Sequence, residues 1–276
     1  MKLVKQYVIK QNNNLYKQLD NLCFLSKNLY NATLYTIRQY FFNTQKYLQY
    51  KDLNKQFIQS KNIDYYTLPT KVSQGIQRLV DKNFKSFFEL YELYKSGSYK
   101  NKPNIPKYLD KNGRQVVYYN NQAFKFRNGI VKFSNIEFKT DLDNVDFIRI
   151  VPKNNYIILE LGYNYQEKPI KQDNKNYAAI DLGMANLITL TTLHNKPIII
   201  KGGTINSINH YYNKKKAYKQ SKLPKNRYYS KYLEMLTNKR YNKIKTYFHQ
   251  LSAKLVNYLV SQDICKLIIG YNKYWK

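Results

Sequence analysis

The residue best suited to chemistry is Asp181, in the segment Ala178–Asn186 (AAIDLGMAN) that continues into Leu187-Ile188-Thr189-Leu190. Asn176–Ile180 reads as a short buried strand, apolar on both sides, that delivers Asp181 at its carboxyl end. Leu182-Gly183 turns the chain, and the β-branched run Leu187–Thr192 returns as a second strand. A carboxylate at the tip of a buried strand is held by a rigid backbone with its oxygens facing a cleft, which suits a hard cation such as Mg²⁺. The same stretch also fits a plain turn, with Asp181 hydrogen-bonding its own backbone, or the opening of a phosphate-handling hairpin.

The other chemistry-bearing residues are cations. Between Lys201 and Gln250 stand thirteen Lys or Arg and one acid, Glu234. Lys214, Lys215, Lys216 and Lys219 form one cluster, and Lys239, Arg240 and Lys243 a second. Both suit phosphate contact, although each residue could equally be a solvated surface charge. Arg78, Lys82 and Lys85 are further candidates, with the same alternative. Over the whole chain of 276 residues, 47 Lys+Arg face 17 Asp+Glu, a formal net charge of +30. Self-repulsion on that scale opposes compaction unless a polyanion neutralises it, so a nucleic acid is the expected partner and a merely basic soluble protein the alternative. No basic amphipathic helix stands apart from the fold, which argues against a membrane surface. An actin-like ATPase would explain neither the charge nor the basic helices. Thirty Tyr and thirteen Phe offer flat surface for stacking on bases, or reflect codon bias in an A/T-rich genome.

Cys23 and Cys265 are the only cysteines and no Cys-x-x-Cys occurs, so neither a disulfide framework nor a zinc ribbon is expected. The opening MKLVKQYVIKQNNN alternates apolar and basic residues and lacks the apolar centre of a signal peptide. No run approaches the ~18 apolar residues of a membrane span. A cytoplasmic protein is expected.

The elements that must position these residues follow from periodicity. Leu3–Ile9 predicts a strand. Leu15, Leu19, Leu22, Leu29, Ile37 and Phe41 predict a helix to about Phe42, and a shorter helix lies around Leu48–Ile58. A long helix begins near Thr67-Leu68-Pro69-Thr70, with Pro in its first turn and Thr able to cap. Its apolar stripe is Val72, Ile76, Leu79, Val80, Phe84, Phe87, Tyr91 and Tyr94. Ser96-Gly97-Ser98 ends it, and Lys100–Tyr108 is an extended linker. Gln115–Tyr118, Ala123–Phe126, Ile130–Phe133, Phe147–Ile150 and Tyr156–Leu161 are short strands, expected to close a small β-barrel with the N-terminal strand. Glu167–Asn176 is a polar connector.

Beyond it, Tyr177–Lys201 reads as a three-stranded meander. A helical hairpin broken at Leu223-Pro224 follows, whose second helix presents Leu233, Leu236, Ile244, Phe248, Leu251, Leu255, Tyr258 and Leu259 on one face. Lys266–Gly270 is a fourth strand. Three antiparallel strands, helices and a strand beside the first make the opening half of a ribonuclease H-type α/β fold. There the end of the fourth strand adjoins the first strand's carboxylate, where a second acid should share a metal pair ~3.5–4 Å apart. This sequence has Gly270-Tyr271-Asn272 at that place.

Several segments, in order, carry a family resemblance: Leu68-Pro69-Thr70-Lys71-Val72, then Val80–Phe88 (VDKNFKSFF), then Ile105-Pro106-Lys107-Tyr108-Leu109. Ala179-Ile180-Asp181-Leu182-Gly183 with Asn186-Leu187, Ser207-Ile208-Asn209, Asn213–Ala217 (NKKKA) and Lys239-Arg240 continue the series. Ile269-Gly270-Tyr271-Asn272-Lys273 with Trp275-Lys276 closes it. Together they resemble the transposon-encoded TnpB (OrfB) proteins, RNA-guided nucleases related to type V CRISPR effectors. The resemblance implies an α/β protein with a β-barrel. A wedge-type β-barrel would comprise 1–10 and 105–170, a helical recognition insertion 11–104, and a partial RuvC-like domain of RNase H fold 177–276. It also implies a guide RNA, a DNA target and Mg²⁺, with Asp181 matching the first of three RuvC carboxylates. Many relatives carry Glu where Gly270 stands, while a similar branch has glycine there and takes its glutamate from a later strand. The zinc ribbon and final aspartate would lie beyond Lys276, so the sequence looks like the front two thirds to three quarters of such a protein. Two functions stand open: a nuclease completed by carboxylates from a second polypeptide, or a nucleic-acid-binding remnant or repressor that grips without cutting. An inert truncation product is the default if binding proves weak and unselective.

Overall fold

The computed structural model describes residues 1–167, 169 and 172–271. These fall into two compact units, Met1–Glu167 and Lys168–Lys276. The first opens with strand β1 (Lys2–Lys10), followed by helices α1 (Tyr16–Thr44), α2 (Tyr50–Gln59), α3 (Ile63–Tyr66) and α4 (Thr70–Lys95). Strands β2 (Val117–Asn120), β3 (Lys125–Arg127), β4 (Ile130–Phe133), β5 (Ile136–Lys139), β6 (Phe147–Pro152) and β7 (Tyr156–Asn164) complete it.

The alternating pattern of β1 matches its pairing, since it runs antiparallel to β7 from Lys2 opposite Asn164 to Lys10 opposite Tyr156. Sheet order is β1-β7-β6-β2, and β3-β4-β5 form a separate three-stranded sheet. The expected closed barrel is not traced among the described residues, because the strands of this unit fall into two separate sheets. Asn128-Gly129 and Ser134-Asn135 all take left-handed backbone conformations. Each pair is the two-residue loop of a hairpin, joining Arg127 to Ile130 and Phe133 to Ile136. The strands therefore pair with their immediate neighbours. Gly129 also needs its missing side chain, because a Cβ there would lie 2.9 Å from the Thr140 carbonyl oxygen.

Strands and helices of this unit share one core. Leu34 and Ile37 of α1, Val80 and Phe84 of α4, Tyr119, Ile148 and Leu159 of the larger sheet and Val131 of the smaller one all belong to it. Along α4, Val72, Ile76, Val80 and Phe84 are buried, whereas Leu79 and Tyr94 of the expected stripe are exposed. The buried face also takes in Ser73, Gln77 and Asp81, so Leu79 falls at its margin and Tyr94 lies in the last turn. The helix start also differs from expectation. Pro69 occupies the N-cap position without a side-chain cap, and Thr67 closes the unforeseen α3.

The second unit contains strands β8 (Tyr177–Leu182), β9 (Asn186–Thr192) and β10 (Ile198–Lys201), helices α5 (Gly203–Ser221) and α6 (Lys231–Ser261), and strand β11 (Lys266–Ile269). Sheet order is β10-β9-β8-β11. The first three strands are antiparallel, and β11 runs parallel to β8 with Lys266 opposite Tyr177 and Ile269 opposite Ile180. Ser230 caps α6 by accepting the Leu233 N–H at 3.2 Å. Leu251, Leu255, Tyr258 and Leu259 of α6 pack on Ala178, Ile180, Ile188 and Leu190. Phe248, expected on that face, is exposed because this core begins one turn later. Among the described residues, no helix is long and apolar enough to cross a membrane.

Gly162 in β7 pairs with Phe147. A Cβ there would stand 2.1 Å from the Phe147 ring, so Gly162→Ala is predicted to cost about 1–3 kcal/mol by overpacking. Urea denaturation should also show that Phe147→Leu recovers part of that loss in the double variant. Strictly additive losses in the cycle would disprove the clash.

Candidate carboxylate site and nucleic-acid interface

Asp181 is the second-last residue of β8 and pairs with Thr189. The strand is not buried on both sides as expected. Alternation sends Ala178 and Ile180 into the core under α6 and turns Ala179 and Asp181 to the exposed face. The carboxylate therefore lies on open surface instead of in a cleft. Among the described residues it accepts no hydrogen bond, which removes the self-satisfied turn as an explanation for it. The turn beyond it is shaped by backbone contacts: Gly202 donates its N–H to the Ala185 carbonyl at 2.8 Å. A Cβ on Gly202 would meet the Met184 carbonyl oxygen at 2.2 Å.

The parallel pairing of β11 decides what stands beside Asp181. Gly270, just past the strand, donates its N–H to the Ile180 carbonyl at 2.9 Å. A Cβ on Gly270 would lie 3.6 Å from Asp181 Oδ1, in ordinary contact. Position 270 is thus next to the carboxylate, and the chain supplies no side chain there. No group of three or more His, Cys, Asp or Glu able to hold a metal occurs among the described residues. Asn272, Lys273, Trp275 and Lys276, named in the sequence resemblance, lie outside those residues. One exposed carboxylate does not fit a pair of Mg²⁺ ions, which needs several anionic oxygens to fix both.

The cations of the second unit are arranged with rings. Tyr211 and Lys215, Tyr212 and Lys216, and Tyr218 and Lys222 are each four residues apart on or just beyond α5, with ammonium-to-ring distances of 5.9, 5.9 and 4.4 Å. Lys219 lies 5.0 Å from the Tyr232 ring of α6. A cleft of about 700 Å³ on the hairpin is lined in part by Tyr211, Tyr212, Tyr232, Lys239, Arg240 and Lys243. Arg240 is oriented there, because its Nε donates to Asn209 Oδ1 at 2.6 Å and its guanidinium sits 5.2 Å from the Tyr212 ring. Tyr212 is tied in turn to Thr237 Oγ1 at 2.9 Å. The structure brings Lys239, Arg240 and Lys243 together in this cleft. Lys214, Lys215 and Lys216 are exposed along α5 and do not line it. Sequence reasoning missed the tyrosines and Asn209. The four-residue Tyr–Lys spacing was the available signal.

In the first unit, Arg78 lies 5.0 Å over the Tyr50 ring, and Lys82 is exposed. Lys85 is less available, since its Nζ pairs with Asp81 Oδ2 at 2.9 Å. Asp81 also accepts the Tyr47 hydroxyl at 2.6 Å. Burial first, and that hydrogen bond second, push the Tyr47 phenol well above its ordinary pKa.

Residues 160–276 match the family OrfB_IS605, described as a probable transposase. No curated protein matches the chain. Among solved structures, the chain is similar to a protein in a cryo-EM structure of a Cas12f1–sgRNA–target DNA complex. Identity is 12%, with 98% of this chain and 73% of that one covered and a TM-score of 0.31. It is also similar to a chain of a CRISPR-Cas12f ternary complex, at 10% identity, with 93% and 62% covered and a TM-score of 0.33.

The geometry at position 270 yields a direct prediction. Gly270→Glu should add a second carboxylate beside Asp181 and raise Mn²⁺ affinity at least about tenfold, a gain that Asp181→Ala removes. Titration followed by the electron paramagnetic resonance of free Mn²⁺ reads it. Equal affinity in wild type and Gly270→Glu would show that the two positions do not share a site.

Proposed function

We propose that the chain, whose residues 160–276 match the OrfB family of probable transposases, is a TnpB-like protein that binds guide RNA and DNA and does not cleave by itself. In this reading the second unit is a partial RuvC-like domain of RNase H fold, residues 177–276. The first combines a wedge-type body, residues 1–10 and 105–170, with a helical recognition insertion, residues 11–104. Lys214, Lys215, Lys216, Lys219, Lys239, Arg240 and Lys243 would contact phosphate, joined by Arg78, Lys82 and Lys85. Asp181 would be one carboxylate of a Mg²⁺ site.

The observation that carries this reading is the bare position beside Asp181. Gly270 stands beside Asp181 with its N–H bonded to Ile180, and the described residues bring no cluster of acids to that carboxylate. Phosphodiester hydrolysis by two ions needs anionic ligands on both, and hydrogen bonds from a strand backbone do not replace them. Binding needs no such ligands. It draws on the +30 net charge and on lysines interleaved with exposed tyrosines.

A second reading, a nuclease completed by another polypeptide, is favoured by one feature: Asp181 is exposed and position 270 leaves space at ordinary contact distance.

The purified chain should bind structured RNA with an affinity that falls steeply as salt rises. Replacing Lys214, Lys215 and Lys216 together by Ala should lower the slope of log K against log salt by about 0.7–0.9 for each phosphate no longer neutralised. Incubated with guide RNA, target DNA and Mg²⁺, the chain should leave the DNA intact, and Asp181→Ala should leave binding unchanged. Cleavage that Asp181→Ala abolishes would overturn the proposal in favour of the second reading.

A further inference from the structure

A second aromatic cleft lies entirely within the first unit, remote in sequence from Asp181 and from the basic hairpin. Phe41 of α1 and Phe87, Phe88 and Tyr91 of α4 form its floor, and the extended segment 102–107 forms its rim. Its volume is about 540 Å³. Arg38, Lys102 and Lys107 line it, and no carboxylate does. We propose that this cleft seats one unpaired nucleotide of a bound nucleic-acid strand, with the base against the rings and the flanking phosphates on the three cations. The proposal rests on the nucleic-acid-binding reading and adds a defined site to it.

The rings are arranged as a platform. Phe87 and Tyr91 are stacked, with centroids 5.9 Å apart and planes 25° apart. Phe88, 5.3 Å from Phe87 and 5.7 Å from Phe41, is tilted to them by 57° and 54° and forms a side wall beside the stacked pair. Phe87 and Phe88 are half-buried against the core and Tyr91 is half-buried beside them, and all three keep ring surface at the cleft. What sets these rings apart from the unit's other exposed aromatics is that they share one cleft with three cations and no carboxylate.

Arg38 is already oriented, its guanidinium 4.9 Å from the Tyr108 ring and 5.7 Å from the Phe42 ring. A planar cation held between rings suits a phosphate or the face of a base. Pro103 and Pro106 stiffen the strand that carries Lys102 and Lys107, which limits the ordering cost of binding. The cleft's size accepts a single nucleotide, and a base can lie flat on the rings only when it is unpaired. The cations and the lack of acids favour an anionic ligand, while the open rings favour a planar one. An unpaired nucleotide is both.

The test uses the full chain and a single-stranded RNA carrying 2-aminopurine, whose fluorescence falls when the base stacks. Wild type should bind and quench it. Tyr91→Ala should remove most of the quench and weaken binding roughly tenfold, as expected for one base–aromatic stack, whereas Tyr91→Phe should retain both. Lys107→Ala, on an exposed extended segment where folding is not at stake, should weaken binding and lower the salt slope. Replacing Lys214, Lys215 and Lys216 should weaken binding yet leave the quench per bound strand unchanged. If Tyr91→Ala and Lys107→Ala bind and quench like wild type, the site is overturned while the nucleic-acid reading stands. If wild type binds no RNA, both fall. If instead a poly-glutamate peptide binds and Tyr91→Ala abolishes it, the cleft takes a protein ligand and the proposal is overturned.

Discussion

The second unit depends on the parallel pairing of β11 with β8. This pairing joins segments nearly ninety residues apart and ends with the Gly270 N–H on the Ile180 carbonyl. A parallel pair needs a long crossover, here the whole α5–α6 hairpin, and α6 must lie against the sheet for the register to hold. Two consequences follow from this one constraint. Position 270 is brought to the Asp181 carboxylate, and α5, which packs along α6, is left with no buried residue and with Tyr211, Lys214, Lys215, Lys216 and Tyr218 exposed. The surroundings of Asp181 and the exposed cations of the hairpin are thus set by the same strand pair.

Charge is distributed unevenly over the chain. In the first unit acidic residues are paired with cations: Asp20 with Arg114, Asp81 with Lys85, Asp141 with Lys5, Asp146 with Lys2 and Glu160 with Arg149. Glu160 is buried and takes both Arg149 and Gln6, so this network also specifies how β1, β6 and β7 align. Between Lys201 and Gln250 only Glu234 stands against thirteen cations, which leaves the hairpin a concentrated positive field. Such a field draws in polyanions and is weakened by salt, whereas the paired charges of the first unit act mainly on structure.

What the sequence made legible divides by the range of the forces involved. Helix stripes and the strands around Asp181 were readable, because burial on one face imposes a period of 3.6 or 2 on the residues themselves. The adjacency of Asp181 and position 270 was readable once the order of elements was recognised, since only a strand beside the first satisfies the crossover. The barrel was misread because closure depends on which sheet edges pair over long range, whereas the left-handed Asn128-Gly129 and Ser134-Asn135 turns fix only the β3-β4-β5 hairpins. The exposure of Asp181 was missed for a related reason: Ala179 looks apolar in a sequence, yet only the placement of α6 shows that its face is uncovered. The tyrosines were hidden by their abundance. Thirty copies make any one uninformative, and only the pairing of particular rings with particular lysines distinguishes them.

Glycine at position 270 is also compatible with a scaffold that binds without cutting. A second carboxylate at that distance would face Asp181 across a few ångströms, and without a metal the two would repel, holding one in its protonated form. That repulsion would act at the end of the short pairing on which the sheet order rests. Glycine at this position brings no such repulsion, and the backbone hydrogen bond from residue 270 needs no side chain. The strand register, the helix packing on the sheet and the basic face of the hairpin are independent of that carboxylate. The surroundings of Asp181 and the basic face of the hairpin are therefore physically separable in this fold, and a change of side chain at position 270 acts on the first without touching the second.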